Sequence, residues 1–500
     1  MQKYLLAALL FFTAPALAQY SFKGKLVDEQ MLPIQGASLK INQSYKVAVS
    51  DVSGGYDFNF SSSRFILSIS HTGFTTQTIT VNAEVPDTIV LKRNIELLEE
   101  TIVKAFERNA AAKEVAAAVT VLNKNSLERL GTASLVAAVN TVPGVKMDER
   151  SPGSYRLSIR GNLLRSTFGV RNVKVYWNGI PFTDANGNTY LNQLSPGNLS
   201  SMEIIKGPSG SMYGSGTGGV VLLNSAANLN NKDKWIDMQA TGGSYGLFSG
   251  NVSYQQNGRN ANTLSLAYQQ SDGYRDHTNM RRATAHNTGS YHLAKKQRLY
   301  ANVFYSDLFY QTPGGLNPAE LAANPRQARP AAGAFPGAAT QKAAIGLKTL
   351  YTGLSLENQF NIRWANITSL YGSYTDFKNP TIRNYEEKYE KGIGGRSVFQ
   401  FKSGIFTGTF GGEIQQGFFY TSVFGNKAGT KDTLQFNADI QSRQVNIFAQ
   451  SGFNFTNGFV LEAGLSYNDF YYGYEKIERN NNITESSSFS PQLVPRISLL

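Results

Sequence analysis

The stretch that decides the fold runs from Met202 to Val221 and reads MEIIKGPSGSMYGSGTGGVV. An apolar, β-prone segment ends at Lys206, and a second apolar segment begins at Val220. Between them the chain is rich in glycine and serine, which interrupt regular structure. The pattern predicts two strands joined by a compact, glycine-rich connection.

The same stretch contains the spacing G-x-G-x-x-G at Gly214, Gly216 and Gly219. A dinucleotide-binding loop of this pattern must open a helix, because the helix N-terminus holds the pyrophosphate. A strand follows here, so we predict no nucleotide site. The glycines are better explained by tight turns and close packing.

Upstream of this stretch, the chain from 108 to 228 reads as a mixed α/β region. Helical turns are predicted at 126–130 and 134–140, and strands at 155–159, 173–177, 202–205 and 220–223. Two further short motifs occur in the same region. They are Ile159-Arg160-Gly161 and the segment Val173 to Pro181, which contains Asn178-Gly179.

Downstream of residue 229 the pattern changes to short alternating segments separated by Gly, Asn and Asp. Leu264, Leu266 and Tyr268 share one parity, and polar or small residues take the other. Apolar-out, polar-in strands of ~10 residues are typical of outer-membrane barrels. A soluble β-sandwich also alternates, but about a dozen successive strands rich in Tyr and Phe favour the barrel. The Pro/Ala/Gly-rich segment from Gln311 to Lys342 is predicted to be an extracellular loop.

The N-terminal part of the chain predicts export. Lys3, an apolar run and Ala16-Leu17-Ala18 form a signal peptide over 1–18. The run is shorter than the ~20 apolar residues that a transmembrane helix needs. Residues 19–92 then show several short strands, which predict a small β-sandwich.

Composition excludes several kinds of chemistry. The chain has no cysteine, which removes disulfides, thiol catalysis and Cys-based metal sites. The net charge of +12 is scattered along the chain, which favours anionic lipid or an anionic substrate over nucleic acid. The four histidines lack metal-ligand spacing, and no nucleophile elbow is present. We therefore predict no enzyme activity, no cofactor and no bound metal.

Taken together, the motifs resemble those of TonB-dependent outer-membrane receptors of Bacteroidetes type. Residues 19–92 resemble their carboxypeptidase-regulatory-like domain and residues 108–228 their plug, with Asn178 and Lys206 replacing the commoner Asp and Arg. The resemblance implies a mainly β protein: a small β-sandwich, an α/β plug and an antiparallel transmembrane β-barrel over 229–500. About 22 strands are expected in the whole barrel, of which roughly the first half is here.

The resemblance also assigns roles to individual residues. The linker 93–107 would contain the TonB box, which a periplasmic partner pairs with by strand addition. Its residues are Glu100, Thr101, Ile102, Val103, Lys104 and Ala105. Alternatively, this run is the last strand of the N-terminal sandwich. Structural positions in the plug are Gly161, Gly207, Pro208, Gly214, Gly218 and Gly219.

A lock between plug and barrel is the second implied feature. In this family plug arginines pair with inward glutamates of the barrel, and Arg160 and Lys206 occupy the basic positions. Strand parity turns Glu413 and Glu462 inward, so we expect them to pair with Arg160 and Lys206. The alternative is that both glutamates line a wet lumen.

The implied function is energy-coupled import across the outer membrane of a Gram-negative cell. Ligand is expected at the plug apex, near Arg165, Arg171, Asp184 and Asn186. Asp184 to Asn188 partly resembles a calcium loop but lacks its terminal glutamate, so a polar plug loop is predicted. A ferric-siderophore or ferric-citrate complex is the preferred ligand; cobalamin, another metal chelate and an oligosaccharide remain alternatives.

The remaining expectations concern partners and orientation. TonB with its inner-membrane complex, the small-molecule ligand, and outer-membrane lipid or lipopolysaccharide are the expected partners, and the protein is expected to be a monomer. The N-terminal domain and plug base would face the periplasm. The competing class is a non-transporting adhesin or binding barrel.

Overall fold

The computed structural model describes residues 20–41, 45–82, 84–92, 102–107, 110–131, 133–162, 169–207, 209–214, 218–225, 234–455, 458–478 and 481–500. The predicted signal peptide lies outside these residues, as do Glu100, Thr101, Arg165 and Pro208. The chain divides into two compact units, residues 1–100 and 101–500. No helix in the described part of the chain is long and apolar enough to cross a membrane.

The first unit is a small all-β domain. Its strands are β1 (Tyr20–Val27), β2 (Ser38–Ile41), β3 (Tyr45–Val49), β4 (Gly55–Phe60), β5 (Arg64–Ser70), β6 (Gln77–Asn82) and β7 (Thr88–Val90). They form two sheets, with orders β4-β1-β7 and β3-β2-β5-β6. Alternating side chains such as Phe65, Leu67 and Ile69 enter one apolar core shared by both sheets. The predicted sandwich is confirmed.

The second unit begins with the plug, defined here as the described residues between 102 and 225. Its first strands and helices are β8 (Ile102–Val103), β9 (Ala110–Ala111), β10 (Val119–Asn123), α1 (Lys124–Glu128), α2 (Val136–Val139), β11 (Val145–Glu149) and β12 (Tyr155–Ile159). They are followed by β13 (Val170–Arg171), β14 (Val173–Trp177), β15 (Ile180–Pro181), β16 (Asn188–Thr189), β17 (Ser201–Lys206), α3 (Gly210–Tyr213) and β18 (Gly219–Asn224). Single 3₁₀ turns lie at 105–107, 112–114, 191–193 and 196–198.

A five-stranded sheet forms the centre of the plug, with the order β10-β17-β18-β14-β15. Strand β14 runs parallel to β18, and every residue of both strands is buried. Burial on both faces explains why these segments read as continuous apolar runs. The strands predicted at 155–159, 173–177, 202–205 and 220–223 are confirmed.

The glycines of the opening stretch permit close backbone contact. Gly219 has a φ of 142° and begins β18, where a Cβ would collide with the carbonyl oxygen of Ile205. A Cβ on Gly218 would lie 2.7 Å from the carbonyl oxygen of Asn172. Gly207, with a φ of 107°, ends β17. Glycine is required here by packing and backbone conformation, and a strand follows the motif.

The rest of the unit is one large antiparallel sheet, called the wall. Its strands are β19 (Lys234–Gly243), β20 (Leu247–Gln256), β21 (Ala261–Ser271), β22 (Met280–Ala294), β23 (Gln297–Gln311), β24 (Ala344–Gln359), β25 (Trp364–Pro380), β26 (Asn384–Ser403), β27 (Phe406–Lys427), β28 (Thr430–Asn454), β29 (Val460–Glu478), β30 (Asn481–Ser488) and β31 (Gln492–Leu499). Each strand pairs with the next, except at the end of the wall. There β30 pairs with residues 471–478 of β29, and β31 pairs with residues 461–468 of the same strand. The long connection between β23 and β24 contains one short helix, α4 (Pro318–Ala323).

The two faces of the wall differ as the alternation predicted. Leu266 is 51% exposed, whereas its neighbour Ser265 is buried. The buried face packs on the plug: Phe304 of β23 contacts Trp177, and Asn446 of β28 donates to the carbonyl of Met212. An apolar outer face and a polar inner face are the pattern of a membrane barrel wall.

Candidate functional site: a coupling segment and an ion network

The predicted TonB box overlaps a short strand, β8, which already pairs with another strand of the same protein. Ile102 and Val103 form β8, which pairs antiparallel with Ala110 and Ala111 of β9. Val103, Ala105 and Phe106 are buried. Strand β8 therefore belongs to the second compact unit, together with the plug. We call residues 102–107 the coupling segment.

Polar side chains of the plug hold the backbone of the coupling segment. The amides of Lys104 and Ala105 donate to Oε2 of Glu203, at 2.8 and 3.2 Å. The amide of Phe106 donates to the hydroxyl of Tyr213 at 2.7 Å. Burial raises the pKa of Glu203, and the two backbone donors oppose that rise. One carboxylate thus satisfies two amides that strand pairing with another protein would also satisfy.

The backbone of the coupling segment is strained at its end. Phe106 and Glu107 have φ values of 55° and 57°, in the left-handed region that non-glycine residues rarely occupy. Such residues cost on the order of 1–3 kcal/mol each and persist only where surrounding contacts enforce them. Release of those contacts would therefore favour a different backbone conformation.

The wall supplies the remaining contacts to the coupling segment. The guanidinium of Arg396 lies 2.9 Å from the carboxylate of Glu107, and Gln400 donates to the Glu107 carbonyl at 2.9 Å. Arg496 lies 4.0 Å over the ring of Phe106. Strands β26 and β31, which are not neighbours in the sheet order, thus both reach the segment.

Arg396 also joins this contact to a buried carboxylate deeper in the plug. Its Nε lies 3.2 Å from Oε2 of Glu413, which accepts a 2.9 Å hydrogen bond from Tyr176. Lys174 of β14 donates to the other Glu413 oxygen at 2.6 Å. Lys174, Arg396 and Glu413 are all almost fully buried. Buried charges need such partners, since an unpaired one would cost several kcal/mol.

A cavity of about 560 Å³ opens beside this network, between the plug and strands β28 to β31. Lys174 and Glu413 form part of its lining, together with Asn186 from the apical loop of the plug. The ion network therefore extends from the cavity through Glu413 and Arg396 to Glu107. A single chain of ionic contacts connects a space that could hold a ligand with the coupling segment.

Comparisons with known proteins agree with this architecture. The family described as "TonB-dependent Receptor Plug Domain" matches residues 111–221. The chain carries a TonB-dependent receptor plug. The family described as "CarboxypepD_reg-like domain" matches residues 22–103, which cover the N-terminal sandwich. The structural resemblance proposed from the motifs is confirmed for both domains.

The similarity to individual relatives extends over only part of each protein. The chain is 26% identical over 212 residues to TonB-dependent receptor P39 of Formosa agariphila, covering 42% of this chain and 20% of that protein. It is 25% identical over 187 residues to the vitamin B12 transporter BtuB of Vibrio vulnificus, covering 36% and 30%. The chain thus spans less than a third of the curated relatives it matches.

A solved receptor structure supports the fold over a longer stretch. The unliganded ferric citrate transporter FecA superposes with a TM-score of 0.63 at 14% identity. The match covers 77% of this chain and 60% of FecA. At this identity the likeness establishes the TonB-dependent receptor fold alone.

The four residues of the predicted lock between plug and wall all lie in the described part of the protein. Glu413 and Glu462 are 4% and 0% exposed; Glu413 lies against Lys174 and Arg396, and Glu462 lies against Arg496. Arg160 is exposed and lies against Gly207, and Lys206 Nζ donates to the carbonyl of Pro143 at 3.2 Å. The contacts described for these four residues are with other groups, and the lock stays a prediction.

The wall carries its own cations next to these carboxylates. Arg396 lies directly opposite Glu413 in the ladder between β26 and β27. Arg496 of β31 lies 2.7 Å from Glu462 and donates to the carbonyl of Ala116 at 2.8 Å. Strand parity identifies the inward face but not which inward residues stand opposite one another. Lys174 was also missed, although a lysine inside the apolar run Val173–Trp177 signals a buried charge.

The apical residues of the plug are placed close together. Arg171 in β13 pairs with Asn188 in β16, and Asp184 accepts hydrogen bonds at 2.9 Å from the amides of Asn186 and Asn188. Burial raises the pKa of Asp184 to about 6, opposed by those two amides. The structure thus joins Arg171, Asp184 and Asn186 in one loop region. Gly161 and Gly214, both at positive φ, complete the described structural glycines.

Proposed function

We propose that the protein is an outer-membrane receptor that imports a scarce ligand with energy supplied through TonB. The observation that carries this proposal is the coupling segment, which is held by polar contacts to the plug and to the wall. An anionic ligand in the adjoining cavity would compete with Glu413 for Lys174 and so disturb the network that positions Arg396 against Glu107. Residues 100–105 would then become available to TonB as an edge strand.

The domain set and the outward apolar face of the wall support an outer-membrane location. In that location the N-terminal sandwich and the coupling segment face the periplasm, and exposed leucines such as Leu266 and Leu354 contact lipid or lipopolysaccharide. A monomer would suffice for this function. The protein itself would catalyse no covalent reaction.

For the ligand we propose a ferric-siderophore or ferric-citrate complex. Support comes from the apical cation Arg171, which suits an anionic chelate, and from the shared fold with the ferric citrate transporter FecA. A cobalamin, another metal chelate or an oligosaccharide would use the same coupling segment. The vitamin B12 transporter among the relatives makes cobalamin the specific alternative.

Growth of a deletion strain on defined iron sources tests import directly. We expect loss of growth on one ferric chelate, restored by the wild-type gene only where TonB is functional. Growth on cobalamin or oligosaccharide as the limiting nutrient separates the other ligands. Unchanged growth on every source would favour the non-transporting adhesin or binding barrel.

The contact with TonB has a separate test. The periplasmic domain of TonB should capture the ligand-loaded receptor, and Val103→Pro should abolish capture because proline cannot donate to a strand ladder. Val103→Ile is the matched control, since it keeps the donor and the β-branched side chain. Equal capture of both variants would exclude strand pairing at this position.

A further inference from the structure

A second, smaller cavity lies between the apical loop of the plug and the wall. Its volume is about 40 Å³, which exceeds the ~10–15 Å³ that one water molecule occupies. Asp184 from the plug and Glu390 from β26 both line it. The fold therefore brings two carboxylates, about 200 residues apart in sequence, into the lining of one small cavity.

The surroundings of these carboxylates neutralise them only in part: the amides of Asn186 and Asn188 donate to Asp184, and Lys391 also belongs to the lining. Glu390 accepts a 3.1 Å hydrogen bond from the hydroxyl of Tyr190. The cations that act on Asp184 are Arg171, which is exposed, and Lys388, whose ammonium lies 2.9 Å from Glu386. Two nearby carboxylates in a dry site are costly unless a proton or a cation lies between them.

Unpartnered oxygen atoms on the same lining give a second, independent observation. Gln193 is 1% exposed, and its Nε2 donates to Thr349 Oγ1 at 2.8 Å, whereas its Oε1 has no hydrogen-bond partner. Asn188 is also buried, and its Oδ1 is likewise unpartnered. Buried oxygen acceptors are nearly always satisfied by protein, water or an ion. Here they accompany two carboxylates around one small cavity.

A site that combines carboxylate oxygens with neutral amide oxygens favours calcium over magnesium. Calcium accepts carboxylate, amide and water oxygens in irregular arrangements, whereas magnesium requires near-octahedral geometry. Among the described residues no group of three or more His, Cys, Asp or Glu side chains is placed to hold a metal. The neutral oxygens of Gln193 and Asn188 would therefore have to complete the set.

We propose that Asp184 and Glu390 bind one divalent cation of the calcium type, completed by the side-chain oxygens of Gln193 and Asn188. The cation would tie the apical loop of the plug to strand β26 of the wall. Lys388, Arg171 and Tyr190 limit the affinity, because the two cations and the phenol donor already stabilise part of the negative charge. This site is distinct from the larger cavity beside Lys174 and does not depend on import.

Terbium luminescence provides a direct test. Tb³⁺ substitutes for Ca²⁺, and Tyr190 and Tyr351 line the cavity as sensitisers. The full chain, purified in detergent and stripped with EDTA, should bind Tb³⁺ saturably, and Ca²⁺ should displace it. Asp184→Asn and Glu390→Gln should each weaken binding on the order of tenfold or more. Calcium should raise the thermal midpoint of the wild type but not of these variants.

Glu357→Gln is the matched control, because Glu357 is another wall carboxylate that accepts a tyrosine hydroxyl, from Tyr300. It should bind terbium like the wild type. If either carboxylate variant fails to fold, Gln193→Met keeps both charges and should still weaken binding. No saturable binding at neutral pH, as for carboxylates that share a proton, would overturn the proposal, and so would equal binding by all variants.

Discussion

The central sheet of the plug and the coupling segment are held in place by different kinds of interaction. Strands β14, β17 and β18 bury apolar side chains on both faces, such as Val175 and Ile204 on one face and Ile205 and Val220 on the other. The coupling segment also buries Val103, Ala105 and Phe106, but it has two residues at positive φ, and its backbone and terminal charge are held by Glu203, Tyr213 and Arg396. Apolar burial cannot be exchanged for another partner without loss, whereas hydrogen bonds can. The comparison identifies the coupling segment as the part that can leave while the plug stays folded.

The largest expected effect is at the apolar contact of plug and wall. Trp177 is fully buried and contacts Phe304 and Tyr351 of the wall. Trp177→Ala should destabilise the receptor by about 3–5 kcal/mol, measured by thermal denaturation in detergent. Trp235→Ala, near the start of β19 at a side chain that is 37% exposed, is the control and should cost far less. Equal losses would mean that the plug contributes little to the stability of the wall.

Next in size is the ion network. Glu413→Gln leaves Lys174 and Arg396 buried with a weakened partner, which should cost about 3–5 kcal/mol locally. Because the chain has no cysteine, Val103→Cys places a single thiol in the coupling segment. Its labelling by a maleimide should be much faster in the Glu413→Gln background than in Glu357→Gln. Unchanged labelling would show that the network does not hold the segment.

The apical loop should make stability depend on pH. The pKa of Asp184 is about 6 in the folded protein, above the usual value of 3.8. The folded state therefore binds this proton more tightly, so the contribution of Asp184 to stability is fully present below about pH 4 and is lost as pH rises through about 6. The loss should be on the order of 3 kcal/mol in EDTA. The thermal midpoint of Asp184→Asn should not fall with pH in this way. If the midpoints of the variant and the wild type fall in parallel, another group causes the pH dependence.

The smallest effect is expected at Glu203. Glu203→Gln keeps the side-chain shape but weakens the charge-assisted bonds to the amides of Lys104 and Ala105, at about 1.5–3 kcal/mol. Maleimide labelling of the thiol introduced by Val103→Cys should rise moderately, while the thermal midpoint of the plug changes little. A large fall in the midpoint instead would mean that the segment and the plug sheet unfold together.

The segments that could be predicted from sequence are those in which burial follows a regular pattern from one residue to the next. The run Val173–Trp177 and the run Gly219–Asn224 are buried on both faces, so their apolar character alone identifies them as strands. The inward direction of Glu413 followed from the outward Phe410 and Ile414. Pairing was not predictable, because Arg396 meets Glu413 through a ladder register and Glu107 through a contact between segments far apart in sequence.

The sequence by itself determined the class of the protein: the stretch MEIIKGPSGSMYGSGTGGVV specifies two strands and tight glycine contacts, and alternation specifies a two-faced wall. These properties depend on neighbours within a few residues, so periodicity records them. The tertiary structure alone decided which charges meet. Four separate elements supply the ion network of Glu107, Lys174, Arg396 and Glu413. The smaller cavity likewise combines distant parts of the chain, with Asp184 from the plug and Glu390 from the wall. Their partners are set by register and packing between distant segments, which no local pattern encodes.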